Sequence, residues 1–179
     1  MKKAVILAVA FMTFLGCKTK DTESSTDKPS KAEYRVNETS RFTVISNTSE
    51  TKAVTRGIKQ LWEPTEEQIH KIENIIKSAV SKDPSVGNRH LKSDSIDSIY
   101  KQYVCYVSST GDSLVYVNAS CIEREVFLTD SATNKLEVKK FDWRNKLFGR
   151  VLDGGDCFWN MRINFSQKSI LELNVNGEA

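Results

Sequence analysis

Histidine, proline, glycine and surplus charge are all scarce in this sequence, and each shortage removes a class of function. Only two histidines stand among 179 residues. They are His70 and His90, and neither sits at a zinc-ligand spacing from a cysteine. The eight glycines include no Walker loop, no dinucleotide-binding loop and no G-x-S-x-G elbow. Three prolines are too few for a low-complexity linker protein. Lysine and arginine total 26 against 23 acidic residues, a formal net charge of +3. That balance offers no footprint for nucleic acid. No apolar run reaches the roughly 20 residues needed to span a bilayer. What is present is a hydrophobic content of 39%, average for a folded chain, and a length that suits one domain.

The N-terminus reads as an address. Lys2 and Lys3 precede an apolar run over residues 4–16, interrupted only by Thr13, and Cys17 follows at once. A basic start, a short apolar core and a small residue before the break describe a secretory signal peptide over residues 1–16. Its removal takes Lys2 and Lys3 with it and leaves a near-neutral chain. Phe14-Leu15-Gly16-Cys17 resembles a bacterial lipobox, in which the cysteine receives the lipid and becomes the new N-terminus; Phe14 stands where an aliphatic residue is usual. The resemblance implies lipidation of Cys17, hence a membrane held as partner through acyl chains at ~0.8 kcal/mol per buried CH₂. Residues 18–31 carry no apolar side chain, so residues 17–40 are expected to be a disordered tether. Lys20-Asp21 and Glu23 resemble the charged export tag of Bacteroidetes surface lipoproteins. This places the chain in the cell envelope, lipid-anchored to the outer membrane, with the tag pointing to the surface side.

Residues 41–179 read as a single α+β domain. Residues 41–46 are rich in β-branched side chains and predict a strand. Residues 51–61 read as a weaker strand, able to pair with the first as a hairpin. Thr65 and Gln68 form a T-x-x-Q capping box, with Glu66 and Glu67 in the first turn. Ile69, Ile72, Ile75, Ile76, Ala79 and Val80 then make one apolar stripe, and Pro84 ends the helix. Residues 96–107 turn extended, with aromatics and valines on both faces around 100–107, as in a strand covered on each side. Residues 108–112 turn and residues 114–121 return. Residues 122–150 are charged and irregular, anchored by Val126, Phe127, Leu128, Trp143, Leu147 and Phe148. After a tight turn at Asp153-Gly154-Gly155-Asp156, residues 157–165 alternate cleanly, with Trp159, Met161 and Ile163 on one face and Asn160, Arg162 and Asn164 on the other. Residues 170–175 alternate again, with Leu171, Leu173 and Val175 together. One long helix before a mainly antiparallel sheet of four or more strands is similar to the cystatin/NTF2-like class, a likeness of fold that brings no activity.

Once Cys17 is lipidated, Cys105, Cys121 and Cys157 remain, so one pair at most can form. Cys121 ends one strand and Cys157 begins the next long one, which favours Cys121–Cys157 and leaves Cys105 as a buried thiol or as a substitute for either partner. The bridge would close about 37 residues, for about 3–4 kcal/mol of loop entropy. A Cys–His nucleophile with His70 or His90 has no recognisable motif. Asp153 and Asp156, even helped by Asp112 or Asp130, fall short of the 6–8 oxygens calcium takes. Glu66-Glu67 and Glu123/Glu125 read as solvated charges. No catalytic residue, cofactor or metal ligand is assigned.

The segments 100–107, 117–121, Trp143, 151–157 and the terminal Asn176-Gly177-Glu178-Ala179 resemble a group of small secreted or lipid-anchored Bacteroidetes proteins that bring no catalytic residues with them. This chain departs from the group by a charged insertion at 129–140 and by Cys105 in place of a small residue. The reading that follows is a lipid-anchored binding or interaction module for an unidentified protein or small ligand, with no nucleic acid. Its candidate contact loops hold Ser109 and Gly111 at one turn, and Asp153, Gly154, Gly155 and Asp156 at another. A cystatin-like hydrolase inhibitor or immunity-type protein is the alternative, with one of these loops entering the target. A small enzyme with an NTF2-like pocket is the third. Cells fed labelled palmitate are expected to mark the wild-type protein and not Cys17→Ser; label retained by the variant would refute the anchor.

Overall fold

The computed structural model describes residues 40–82, 91, 93–149, 151 and 154–176, with backbone alone at 93–95 and 156. Cys17, the signal peptide, the tether up to residue 39, Pro84, His90, Asp153 and the terminal Gly177-Glu178-Ala179 lie outside the described residues.

The capping box forms as its spacing dictates. Gln68 N donates to Thr65 Oγ1 at 3.3 Å, and Thr65 N donates to Gln68 Oε1 at 2.8 Å. Such caps stabilise a helix start by about 1 kcal/mol. Two orphan donors are thus satisfied and the helix Glu66–Lys82 begins. Its buried stripe is Ile69, Ile72, Ile76 and Val80. Each such side chain contributes about 1.5–3 kcal/mol when fully buried. The stripe lies on one face of the sheet, against Tyr103, Val115, Val117, Trp159, Met161 and Ile163.

Numbered in chain order, the strands are β1 Phe42–Val44, β2 Gln60–Leu61, β3 Tyr100–Val107, β4 Ser113–Ser120, β5 Glu125–Thr129, β6 Leu136–Lys140, β7 Phe158–Asn164 and β8 Ser169–Val175. The helices are α1 Thr48–Thr51 and α2 Glu66–Lys82. Six strands make the main sheet in the order β1-β3-β4-β7-β8, with β2 also on β3. The fold is therefore α+β, one long helix on a mixed, mostly antiparallel sheet, with a separate hairpin β5–β6. No helix among the described residues is long and apolar enough to cross a membrane.

The start of the domain departs from expectation. Residues 41–46 and 51–61 do not pair with one another. Instead β1 runs parallel to β3, Phe42 beside Lys101, and β2 runs antiparallel to the far end of the same strand, Leu61 beside Tyr106. The reason is the stretch between them. Asn47 Oδ1 accepts from Ser49 N at 2.9 Å and caps the short helix α1. That turn lifts the chain over the sheet face opposite α2, where Ile45, Val54, Ile58 and Leu61 pack on Val104, Tyr106 and Leu114. Strand β3 is accordingly buried on both faces, as its composition implied.

Three other local readings are corrected. Ser93–Ser98 is a 3₁₀ helix and not extended chain. Its three-residue turn puts Ile96 and Ile99 on one side, and both enter the core. The stretch 122–150, read as irregular, contains the β5–β6 hairpin, whose side chains are nearly all exposed and so carry no burial period. In β8, a register shift between Arg162 and Ile163 pairs Glu172 with Arg162 and Ile170 with Ile163. The extra residue is Leu171, left 53% exposed, while Ile170, Leu173 and Val175 pack on the core.

Cys121 and Cys157 form the disulfide, Cα atoms 4.9 Å apart, and Cys121 N donates to Cys157 O at 2.9 Å. Cys105 is the buried thiol. A buried ion pair holds α2 to β3. The Lys101 side chain is 3% exposed and its Nζ lies 3.0 Å from Glu73 Oε2, an ionic contact without hydrogen-bond alignment. The same Nζ donates to Ile96 O at 2.8 Å, and Tyr103 Oη donates to Glu73 Oε1. Removing one partner of such a pair strands the other charge, at about 3–5 kcal/mol. Lys101→Ala is expected to lose that much in urea unfolding. The double variant Lys101→Met/Glu73→Gln should lose less, and equal losses would remove the pair from the account.

Candidate functional site

The sheet face turned away from α2 is apolar around Val104, Tyr106 and Leu114 and polar beyond them, and its side chains fall into rows fixed by strand register. One row crosses four strands: Gln102 on β3, Asn118 on β4, Asn160 on β7 and Asn174 on β8. Four amides side by side are unusual on strands, where asparagine is disfavoured. The neighbouring row is Val104, Tyr116, Arg162 and Glu172, and beyond Asn160 in the other direction stands Phe158.

Half of the amide row holds down a strap of backbone over residues 143–151. Gln102 is fully buried. Its Nε2 donates to Trp143 O at 2.5 Å and to Lys146 O at 2.7 Å, and its Oε1 accepts from Phe148 N at 2.7 Å. Asn118 Nδ2 donates to Phe148 O at 3.0 Å. Thr43 Oγ1 donates to Arg144 O at 3.1 Å, and Leu147 N donates to Glu50 Oε2 at 3.2 Å. Asn176 Nδ2 donates to Val151 O at 2.6 Å. Trp143 packs edge-on to Tyr100 with ring centres 5.2 Å apart. A loop with no strand partner of its own is thus satisfied by side chains from the sheet below.

The other half of the row faces a cleft. Its volume is about 850 Å³, within the range of small-ligand sites. The strap (Leu147, Phe148, Gly149) and α1 with the turn after it (Glu50, Ala53, Val54) form its walls, and Tyr116, Asn118, Phe158, Asn160 and Asn174 line the floor. A smaller cavity of about 410 Å³ adjoins it, sharing Ala53 and Val54 and reaching Arg56, Tyr106, Ser109 and Arg162. A groove of about 910 Å³ lies elsewhere, between α2 and the β7–β8 turn. Its lining mixes Trp62, Ile75, Ala79, Phe165 and Ile170 with Gln68, Asn74, Ser78, Ser113, Ser166 and three lysines.

The electrostatics of the cleft are balanced. Arg162 lies 3.5 Å from Glu172. Burial pushes the phenols of Tyr106 and Tyr116 up, Arg162 opposes this and Glu172 adds to it. Among the described residues no three His, Cys, Asp or Glu side chains gather as a metal set. Burial also pushes the Cys105 thiol far up, which makes it a poor nucleophile. His70 is exposed on α2, 4.0 Å from Glu66.

The residues singled out from sequence are placed as follows. Ser109 lines the smaller cavity, and Gly111 sits at the β3–β4 turn with φ +99°. Gly154 has φ +121°, and a Cβ there would meet the Phe158 ring at 2.6 Å. Gly155 opens a short 3₁₀ turn, Gly155–Cys157, and the side chain of Asp156 lies outside the described ones. These two loops are not brought together. They sit at opposite ends of β7, whose seven residues span roughly 23 Å. Asp112 and Asp130 are occupied in their own turns, accepting from Thr110 and from Thr133. No motif in the sequence marks Asn118, Asn160 and Asn174 together; alternation alone puts Asn160 on the wet face of its strand.

Gln102→Leu is expected to leave three backbone groups unpaired, at about 1–3 kcal/mol each when buried. Urea unfolding should register the loss, and amide exchange at Phe148 should accelerate; unchanged exchange would mean the strap is held by something else. Raised tyrosine pKa values carry a sign. Unfolded tyrosine ionises near about 10, so above that pH the unfolded chain releases its protons first and stability falls as pH rises. Tyr116→Phe should flatten that fall in a stability–pH series.

Comparisons of the chain with family models, with curated proteins and with solved structures find no match.

Proposed function

We propose that this is a lipid-anchored protein of the bacterial envelope, a binding module that takes its ligand in the amide-floored cleft. The observation that carries the reading is the row Asn118, Asn160, Asn174, whose open polar atoms point to recognition by hydrogen bonds and not to a reacting group. The disulfide supports an oxidising, exported setting. The likeness of segments 151–157 and 176–179 to small Bacteroidetes envelope proteins belongs to the same proposal. Placing the site here moves it from the loop tips to the sheet face between them.

A second reading, an inhibitor or immunity-type protein, has one observation in its favour. The β5–β6 hairpin carries Phe127, Leu136 and Val138 at 66%, 65% and 52% exposure, a finger suited to a protein cleft. The two readings separate by mutation. Envelope material captured by the wild-type protein should be lost with Tyr116→Ala/Asn160→Ser and kept with Phe127→Ser. The reverse pattern would favour the hairpin. A partner kept by both variants would refute the cleft.

A further inference from the structure

The open atoms of the cleft floor have a fixed polarity. Glu172 accepts from Asn174 Nδ2 at 2.9 Å, and a carboxylate can only accept. Asn174 therefore presents its NH₂ on that side, and the same NH₂ donates to Asn160 Oδ1 at 3.0 Å. Asn160 is thereby turned so that its own NH₂ is left open. Asn118 is set independently, because its NH₂ is spent on the Phe148 carbonyl. Across three adjacent strands the cleft thus offers acceptor, donor pair, acceptor: Asn118 Oδ1, Asn160 Nδ2, Asn174 Oδ1. No hydrogen bond among the described residues uses these three. Strand spacing sets the backbone positions that carry them about 4.8 Å apart.

Resting on the cleft reading, we infer that the ligand is a neutral oligosaccharide. A hydroxyl both donates and accepts, so neighbouring hydroxyls satisfy all three positions. A phosphate or carboxylate oxygen meets two repelling acceptors, and an ammonium meets the Asn160 NH₂. The charges nearby are already engaged, Glu50 by Leu147 N, Glu172 by Asn174 and Arg162, and Arg124 by Gly149 O at 3.1 Å and by the Phe158 ring. An extended peptide repeats its groups on one side every ~6.8 Å, out of step with this row. Half-buried aromatic rings flank the row, Phe158 two residues before Asn160 and Tyr116 two before Asn118. Such rings give the CH face of a sugar an apolar surface while the amides take its rim.

The test uses the full-length protein in a non-glycosidic detergent. It is applied to an array carrying neutral, uronic-acid and sulfated oligosaccharides beside extended peptides. Asn160→Asp keeps the acceptor for Asn174 and exchanges the open donors for a negative oxygen. Asn160→Ser serves the same purpose should the Asp variant not fold, with thermal unfolding as the check. The wild type should retain neutral sugars, and the variant should bind them roughly tenfold or more weakly. Retention of only charged sugars or only peptides, lost in the variant, would overturn the neutral oligosaccharide and leave the cleft standing. Neutral sugars bound equally by both proteins would overturn the cleft reading as well. No retention of any sugar by the wild type would overturn the inference.

Discussion

Two consecutive residues, Lys101 and Gln102, hold the layers of this protein together. They sit on the doubly buried strand β3 and, as neighbours on a strand must, point to opposite faces. Lys101 fastens α2 through Glu73, and Gln102 fastens the 143–151 strap through three backbone groups. Both are polar residues 2% exposed or less as whole residues, a costly arrangement unless every partner is met. Apolar packing alone would let the helix and the strap slide. A buried ammonium and a buried amide admit one register only. The cleft depends on this, because one of its walls is the strap.

Much of the architecture was legible because it is written in periods and caps. The α2 stripe, its Thr65–Gln68 box, the two-faced β3 and the alternation of β7 all came from local rules that tertiary packing reinforces. What escaped was set by partners distant in sequence. Nothing within residues 41–61 tells that β1 and β2 share one edge of β3, because the α1 turn between them is four residues long. The β5–β6 hairpin escaped for another reason. Its side chains face water on both sides, so no core imposes a pattern on it. Leu171 misled for a third: a bulge shifts the alternation by one step, and only the partner strand reveals it.

The site was within reach of the sequence, though it was not drawn out. In an antiparallel pair every step back along one strand matches a step forward along the other. Cys121 and Cys157 therefore imply Ser120 beside Phe158, then Asn118 beside Asn160, then Tyr116 beside Arg162, which is the observed register. The disulfide is a ruler as well as a brace. The third amide, Asn174, could not be placed this way, because the bulge and the absence of a second bridge leave β8 free to slip. At the β3–β4 loop tip, the aspartate Asp112 is spent on its own turn, accepting from Thr110.

The bridge also changes what the chain is as a covalent object. Cys121 and Cys157 are 36 positions apart, and between them run the hairpin β5–β6, its exposed turn and the whole strap. That stretch is a closed ring hung on the end of the sheet. The hairpin is an exposed segment open to a protease. A cut there severs the backbone and yet releases nothing, since both fragments stay joined through sulfur and the strap stays pinned by Gln102. A protein built this way can be nicked in that exposed segment and remain one molecule with its cleft in place.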